Sequence, residues 1–168
     1  MTSLVPIGEL NGLPQAEFVV ALRPLFEAAD PLAEALHAER PYTSYMALLD
    51  RAEALMAKLT RQQQIEVVNA HPRIGASPIE VSEASYREQG YAAEAGLDMA
   101  NVYERLRQLN EAYERRFGFR FVVFVNGRPK AAIADVLQQR LAGLSDNELR
   151  LALREMIAIA RDRLRTLS

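Results

Sequence analysis

DNELRLALREMIAIARDRLRT, residues 146–166, is the stretch that decides the fold. At about 100° per residue, Leu149, Ala152, Leu153, Met156, Ile157, Ile159, Ala160 and Leu164 fall on one broad arc. Arg150, Arg154, Arg161 and Arg165 fall outside it, where solvent belongs. The pattern is that of a long helix with one face to bury, and Ser145-Asp146-Asn147-Glu148 at its start has capping-box spacing. Arg163 breaks the pattern by falling inside the apolar arc. A guanidinium there must find an anion or acceptors, or leave a buried charge unpaired. Two readings stay open: a structural ion pair or a stem that snorkels out near the helix end, and a guanidinium presented to an anionic ligand.

Outward from this helix the same period recurs. Phe18, Val19, Leu22, Leu25 and Phe26 mark a helical stretch over 16–29 that Pro24 kinks or divides. Asp30-Pro31 starts another helix, with the acid as cap and proline in the first turn, and Pro41 stops it. Thr43 or Ser44 caps a helix through Leu48, Leu49, Ala52, Leu55, Met56 and Leu59; Thr60-Arg61-Gln62-Gln63 opens the next by a capping box. That helix ends at His71-Pro72, because a residue before proline leaves the helical region. After a loop over 75–82, a helix is expected over 85–95, closed by Gly96. Asp98 caps a long helix running to about Arg116 and ended by Gly118. The apolar run 119–125 is followed by an Asn126-Gly127 turn. No second strand candidate lies nearby and an isolated strand is poorly stable, so the run reads as a buried extended segment. A helix over 130–142 precedes the last one. The expected fold is all-α: a single compact domain over 1–168 with about seven to nine helices, not a simple up-down bundle.

Composition narrows the function. The 168 residues are 49% hydrophobic and 25% charged, ordinary for a soluble globular chain. Net charge is −2, so no bulk basic field gathers nucleic acid or anionic lipid. With no cysteine, thiolate catalysis, disulfides and cysteine-bound metals are excluded, and two histidines, His37 and His71, make no histidine-rich metal site. No run approaches about 18 apolar residues, so no membrane span is expected. Met1-Thr2-Ser3-Leu4-Val5-Pro6 shows no secretion signal and Arg165-Thr166-Leu167-Ser168 is no Ser-Lys-Leu address. Cytoplasmic residence is the expectation.

Three further places carry candidate chemistry. His71 sits where a helix meets a Pro-Gly loop; a lone histidine is ordinarily structural, but a loop position beside a proline favours function. Ser85 and Glu88 have capping-box spacing, and Ser85, Glu88 and Gln89 also place a hydroxyl, a carboxylate and an amide together near a helix start. Asn110, on the face of Val102, Leu106, Leu109, Tyr113 and Phe117, reads as the brace of a neighbouring loop ahead of a substrate contact.

Read in order, these pieces resemble a known family. His71-Pro72-Arg73-Ile74-Gly75, then Ser85-x-x-Glu88-Gln89, then Ala95-Gly96-Leu97 form one block. Leu109-Asn110-x-x-Tyr113-x-x-Arg116-Phe117-Gly118-Phe119-x-Phe121-Val122 forms a second, and Ile159-Ala160-x-x-Arg163-Leu164 a third. Their order and spacing resemble 2-oxo-4-hydroxy-4-carboxy-5-ureidoimidazoline (OHCU) decarboxylase of urate breakdown, over 19–164. The resemblance implies an all-α, cofactor-independent homodimer, without metal, that converts OHCU to (S)-allantoin and carbon dioxide. It implies His71 as catalytic acid/base with Glu88 as its polar partner. It implies substrate binding by Ser85, Gln89 and Arg163, in a pocket lined by Pro72 and the run Phe121, Val122, Val123, Phe124, Val125. Two departures from the family stand out: a short loop between His71 and Ser85, and Asp30-Pro31-Leu32 where members often carry an aromatic.

The chemistry fits these residue types. OHCU carries its own electron sink, a ring imine next to the leaving carboxylate. The protein must hold the anion (Arg163), meet the ureido amide (Gln89) and move protons. His71 is expected to titrate near neutrality, with Glu88 raising its charged fraction. A hydrolase cutting the ureido C–N bond with the same pair, and a non-enzymatic helical binding module of the same fold, are the rivals.

Overall fold

The structure, a computed structural model, describes residues 3–167. The readings made from Met1, Thr2 and Ser168 lie outside them. In chain order the α-helices are α1 (Ile7–Gly12), α2 (Gln15–Ala21), α3 (Arg23–Phe26), α4 (Asp30–Ala38), α5 (Tyr45–Met56), α6 (Arg61–Asn69), α7 (Glu83–Glu88), α8 (Ala100–Phe117), α9 (Lys130–Arg140) and α10 (Ser145–Leu167). A single 3-10 turn, Tyr91–Glu94, follows α7. No strand occurs among the described residues, so the all-α expectation holds. The ten α-helices among the described residues slightly exceed the expected number. The surplus lies at the N-terminal end, where α1 precedes the expected region and the Pro24 break separates α2 from α3.

Helix α10 is the axle. Its arc, Leu149 to Leu164, is buried as its period requires, and α3, α5, α6 and α7 all pack against it. Helices α8 and α9 pair beside this group. One continuous apolar core runs from Leu10 to Leu164. No helix among the described residues is long and apolar enough to cross a membrane.

The caps divide into those read correctly and those not. Ser44 Oγ accepts from Ala47 N, and Thr60 with Gln63 forms both halves of a capping box. Asp30, by contrast, is the first helical residue of α4, and Ala29 precedes it without a side-chain bond. The box expected at Ser145–Glu148 does not form, because Glu148 turns inward: its Oε2 accepts from Tyr113 Oη at 2.6 Å and from Arg140 Nε at 2.8 Å. The box expected at Ser85–Glu88 fails as well. Ser82, three residues earlier, caps α7, and the helix stops at Glu88 because Gly90 takes a left-handed turn at φ 71°. The helix expected over 85–95 is thus a shorter, earlier one plus a 3-10 turn.

The segment 119–125 is largely buried and carries neither helix nor strand. Without a neighbouring strand its backbone groups need other partners, and side chains supply them. Arg120 N donates to Asn69 Oδ1, Phe124 N to Glu155, and Val125 N to Glu88 Oε1, while Arg140 Nη1 donates to Val122 O.

Candidate active site

His71 follows α6, its N–H donating to Val68 O and its carbonyl accepting from Arg120. Its side chain is 6% exposed. The loop after it is pinned at Ile74 and Gly75. Asn110 Nδ2 donates to Ile74 O at 3.0 Å, the brace expected of it. Gly75 N donates to Gln89 Oε1 at 3.1 Å. Gly75 sits at φ 73°, and a Cβ there would meet Leu106 Cδ1 at 2.9 Å, so both backbone and space call for glycine.

Glu88 ends α7 with its side chain buried against this loop. Its Oε1 accepts from Val125 N at 3.1 Å, while its Oε2 lies 3.8 Å from His71 Nε2 and has no hydrogen-bond partner. Burial, above all, pushes the carboxyl up to about 7, against the Val125 N–H and the Arg163 charge, which favour the anion. Burial, then Arg163 and Arg120, push His71 down to about 3. This overturns the expectation that His71 titrates near neutrality and gains charge from Glu88. Burial thus favours the neutral form of both groups.

Arg163, on α10, is 3% exposed. Its Nη2 donates to Glu27 Oε1 and to Ser85 Oγ, both at 2.9 Å, and its Nη1 to Leu25 O at 3.3 Å. The ion-pair reading of this arginine is therefore satisfied in part. Yet Nε remains buried without a partner, so the ligand reading is satisfied in part too.

Two hollows meet at Glu88. One, of about 10 Å³, lies among His71, Pro72, Ile74, Glu88, Gln89, Phe121 and Val123 and has room for about one water. The other, of about 260 Å³, has Glu88, Phe124, Asn126, Asp162 and Arg163 on its wall. A larger groove of about 440 Å³ between α5, α6 and α10 holds none of the expected site residues and no unpartnered buried polar atom, so size alone does not mark the site.

The structure thus gathers His71, Pro72, Gln89, Phe121 and Val123 on one side of Glu88, and Phe124 and Arg163 on the other. Ser85 lies fully buried beneath, between Glu27 and Arg163. Gln89 spends its amide on the 73–75 backbone. Val125 contributes its N–H to Glu88, and Val122 faces the core with its carbonyl on Arg140. Among the described residues no group of three or more His, Asp or Glu side chains is disposed to hold a metal. Sequence reasoning missed Glu27, whose position in the turn after α3 has no periodicity to mark it, and Lys130, which is fully buried with Nζ on Gln89 O at 2.9 Å and Glu94 Oε2 at 2.8 Å.

Comparison with known proteins decides the family. The sequence profile described as OHCU decarboxylase matches residues 11–165. The chain belongs to the OHCU decarboxylase family. The OHCU decarboxylase of Haloferax volcanii is 33% identical over 156 residues, covering 93% of this chain and 92% of that protein. The mouse OHCU decarboxylase is 29% identical over 158 residues, 93% and 89% of the two chains. The Bacillus subtilis uric acid degradation bifunctional protein PucL is 33% identical over 156 residues, 93% of this chain but 31% of that longer protein. In fold, the chain matches the crystal structure of an OHCU decarboxylase in the presence of (S)-allantoin, with a TM-score of 0.70, 24% identity and coverage of 86% and 95%. OHCU decarboxylases are carboxy-lyases, and the carboxyl–imidazole–guanidinium arrangement described above is this family member's candidate site.

Proposed function

We propose that this chain converts OHCU to (S)-allantoin in urate breakdown, at the site built around Glu88, without a metal or organic cofactor. One observation carries the reading. Two buried polar atoms of opposite character, the donor Arg163 Nε and the acceptor Glu88 Oε2, lack protein partners on residues that wall the same hollow. Buried polar groups are rarely left so. A ligand that satisfies both offers an anionic acceptor to the guanidinium and a hydroxyl or amide N–H to the carboxyl. OHCU has all three.

The steps follow from the groups. Arg163 holds the anionic substrate, with Ser85 beside it. Pro72, Phe121, Val123 and Phe124 form the apolar wall, and Gln89, whose amide already holds the 73–75 backbone, fixes the loop beside the ureido arm. The C–C bond to the carboxylate breaks, carbon dioxide leaves, and the bonding pair passes into the ring imine. A proton must then reach the carbon from one face. Neutral His71 and the carboxyl of Glu88 share one proton between them near pH 7, so His71 acts as acid/base with Glu88 as its reservoir. The hollow at His71 is too small for the substrate ring. Binding therefore enters from the Arg163 side and moves α7 or the 121–125 segment outward. A homodimer in the cytoplasm belongs to the same reading, and sedimentation of the purified chain tests the dimer.

The test follows circular dichroism of product from freshly generated OHCU. Spontaneous decay gives a racemate; the enzyme gives one enantiomer with the ureido group retained. Release of ammonia or urea instead identifies a hydrolase. His71→Asn should abolish stereoselective product while leaving thermal unfolding nearly unchanged, and wild-type turnover in that variant removes His71 from the mechanism.

A further inference from the structure

One oxygen, Glu27 Oε1, gathers three donors: Ser82 Oγ at 2.7 Å, Ser85 Oγ at 2.6 Å and Arg163 Nη2 at 2.9 Å. They come from the cap of α7, from α7 itself and from α10. Ser85 Oγ closes the ring by accepting from Arg163 Nη2. With these bonds made, the Ser85 hydroxyl proton is committed to Glu27, and the guanidinium is held by its Nη edge with Nε left over.

The backbone of Glu27 makes the arrangement more telling. It lies at φ 57° and ψ −152°, a positive-φ conformation that a glycine takes freely and an L side chain resists. An outlier of this kind, kept at the edge of a site, argues for a function of the side chain it presents. Here that side chain crosses from the turn after α3 to reach α7 and α10 together. Helix α7 is only six residues long, too short to hold its own conformation. It needs tethers, and Glu27 supplies two of them.

We infer that Glu27 is a positioning residue of the site, whose carboxylate orients Arg163 with its Nε edge available to substrate and ties α7 so that Glu88 stays beside His71. The inference rests on the reading of Arg163 and Glu88 as the groups that meet substrate. Glu27 itself sits behind them and touches no reacting atom.

Two variants separate charge from reach. Glu27→Gln keeps an acceptor oxygen and removes the charge. Glu27→Asp keeps the charge and withdraws it by one methylene. In Glu27→Gln, kcat/KM should fall about tenfold or more, as misplacement of a binding group by an ångström does. The pH limb belonging to Glu88 should also move to lower pH by about half a unit. The charged and titratable groups around that carboxyl are His71, Arg163, Asp162 and Glu27, and only the last is changed. In Glu27→Asp, kcat/KM should fall with the limb in place. Folded Glu27→Gln with wild-type kcat/KM and an unmoved limb overturns the inference. If that variant does not fold, Glu27→Asp decides, and its wild-type turnover overturns it. If the unmutated chain fails to convert OHCU, the functional reading falls on its own. Hydrogen exchange over 83–88 then tests the tether: faster exchange in the folded variant supports it, and unchanged exchange overturns it.

Discussion

At the scale of single residues, the burial of Glu88 costs the fold stability near pH 7 and shapes the proposed site. Its carboxyl binds its proton at about 7 when folded, against an ordinary 4.5. Between these values the folded chain holds a proton that the unfolded chain has released, so this group's contribution to stability is full below pH 4.5 and is lost as pH rises through 7. The loss approaches ~3 kcal/mol. His71, lowered from 6.5 to about 3, has the opposite slope, losing stability as pH falls from 6.5 to 3. From 4.5 to 6.5 the two slopes cancel. Glu88→Gln should therefore unfold in urea at pH 8 with up to ~3 kcal/mol more stability than wild type, and should acquire a rising slope between pH 4.5 and 6.5. A variant less stable than wild type at pH 8 contradicts the burial argument. With the protonated carboxyl as the proposed proton reservoir, wild-type kcat/KM should decline above about pH 7; a profile flat to pH 9 excludes that role. Arg163 was legible from its angle on the helix alone. Glu27, its partner across 136 positions, was not, because nothing local to the sequence records which acid a buried guanidinium will find.

At the scale of elements, α7 is held mainly by side chains from elsewhere. Lys130 donates to the carbonyl of Gln89 just past its end, pairs with Glu94, and lies 4.0 Å from the centre of the Tyr91 ring. Removing one member of a buried pair is worth several kcal/mol. Lys130→Met should lose about 3 kcal/mol in a urea titration; a loss below about 1 kcal/mol means that the clamp is dispensable. The long helices were readable because ten or more residues repeat their apolar period. Helix α7 was misplaced by three residues because Ser82 and Ser85 are both plausible caps, and in so short a helix the choice falls to tertiary partners. The burial of segment 119–125 was readable from its apolar run, whereas its unusual pairing, with side chains as its backbone partners, depends on residues as distant as Asn69 and Glu155.

At the scale of the whole molecule, the site is assembled from the α3–α4 turn, the end of α6, α7, the 119–125 segment and α10, so it exists only when helices far apart in sequence have docked. The family likeness in order and spacing could point to this assembly without revealing which helices meet. The parts are not equally secure. Helix α10 is packed by α3, α5 and α6 through the main core, whereas α7 packs on α10 and the adjoining 3-10 turn. Segments with few buried apolar contacts open before the rest. Of the side chains of α7, those of Ser85 and Glu88 are buried, and both are polar. In rising urea, turnover should accordingly be lost before the helical circular dichroism at 222 nm, since six residues of helix contribute little to that signal while Glu88 rides on them. Saturating (S)-allantoin, offering carbonyl and N–H groups to the proposed site, should bring the two midpoints together, because a ligand that binds only the assembled site stabilises that state by mass action. Coincident loss of activity and helix without ligand would show α7 to be fastened as firmly as the core.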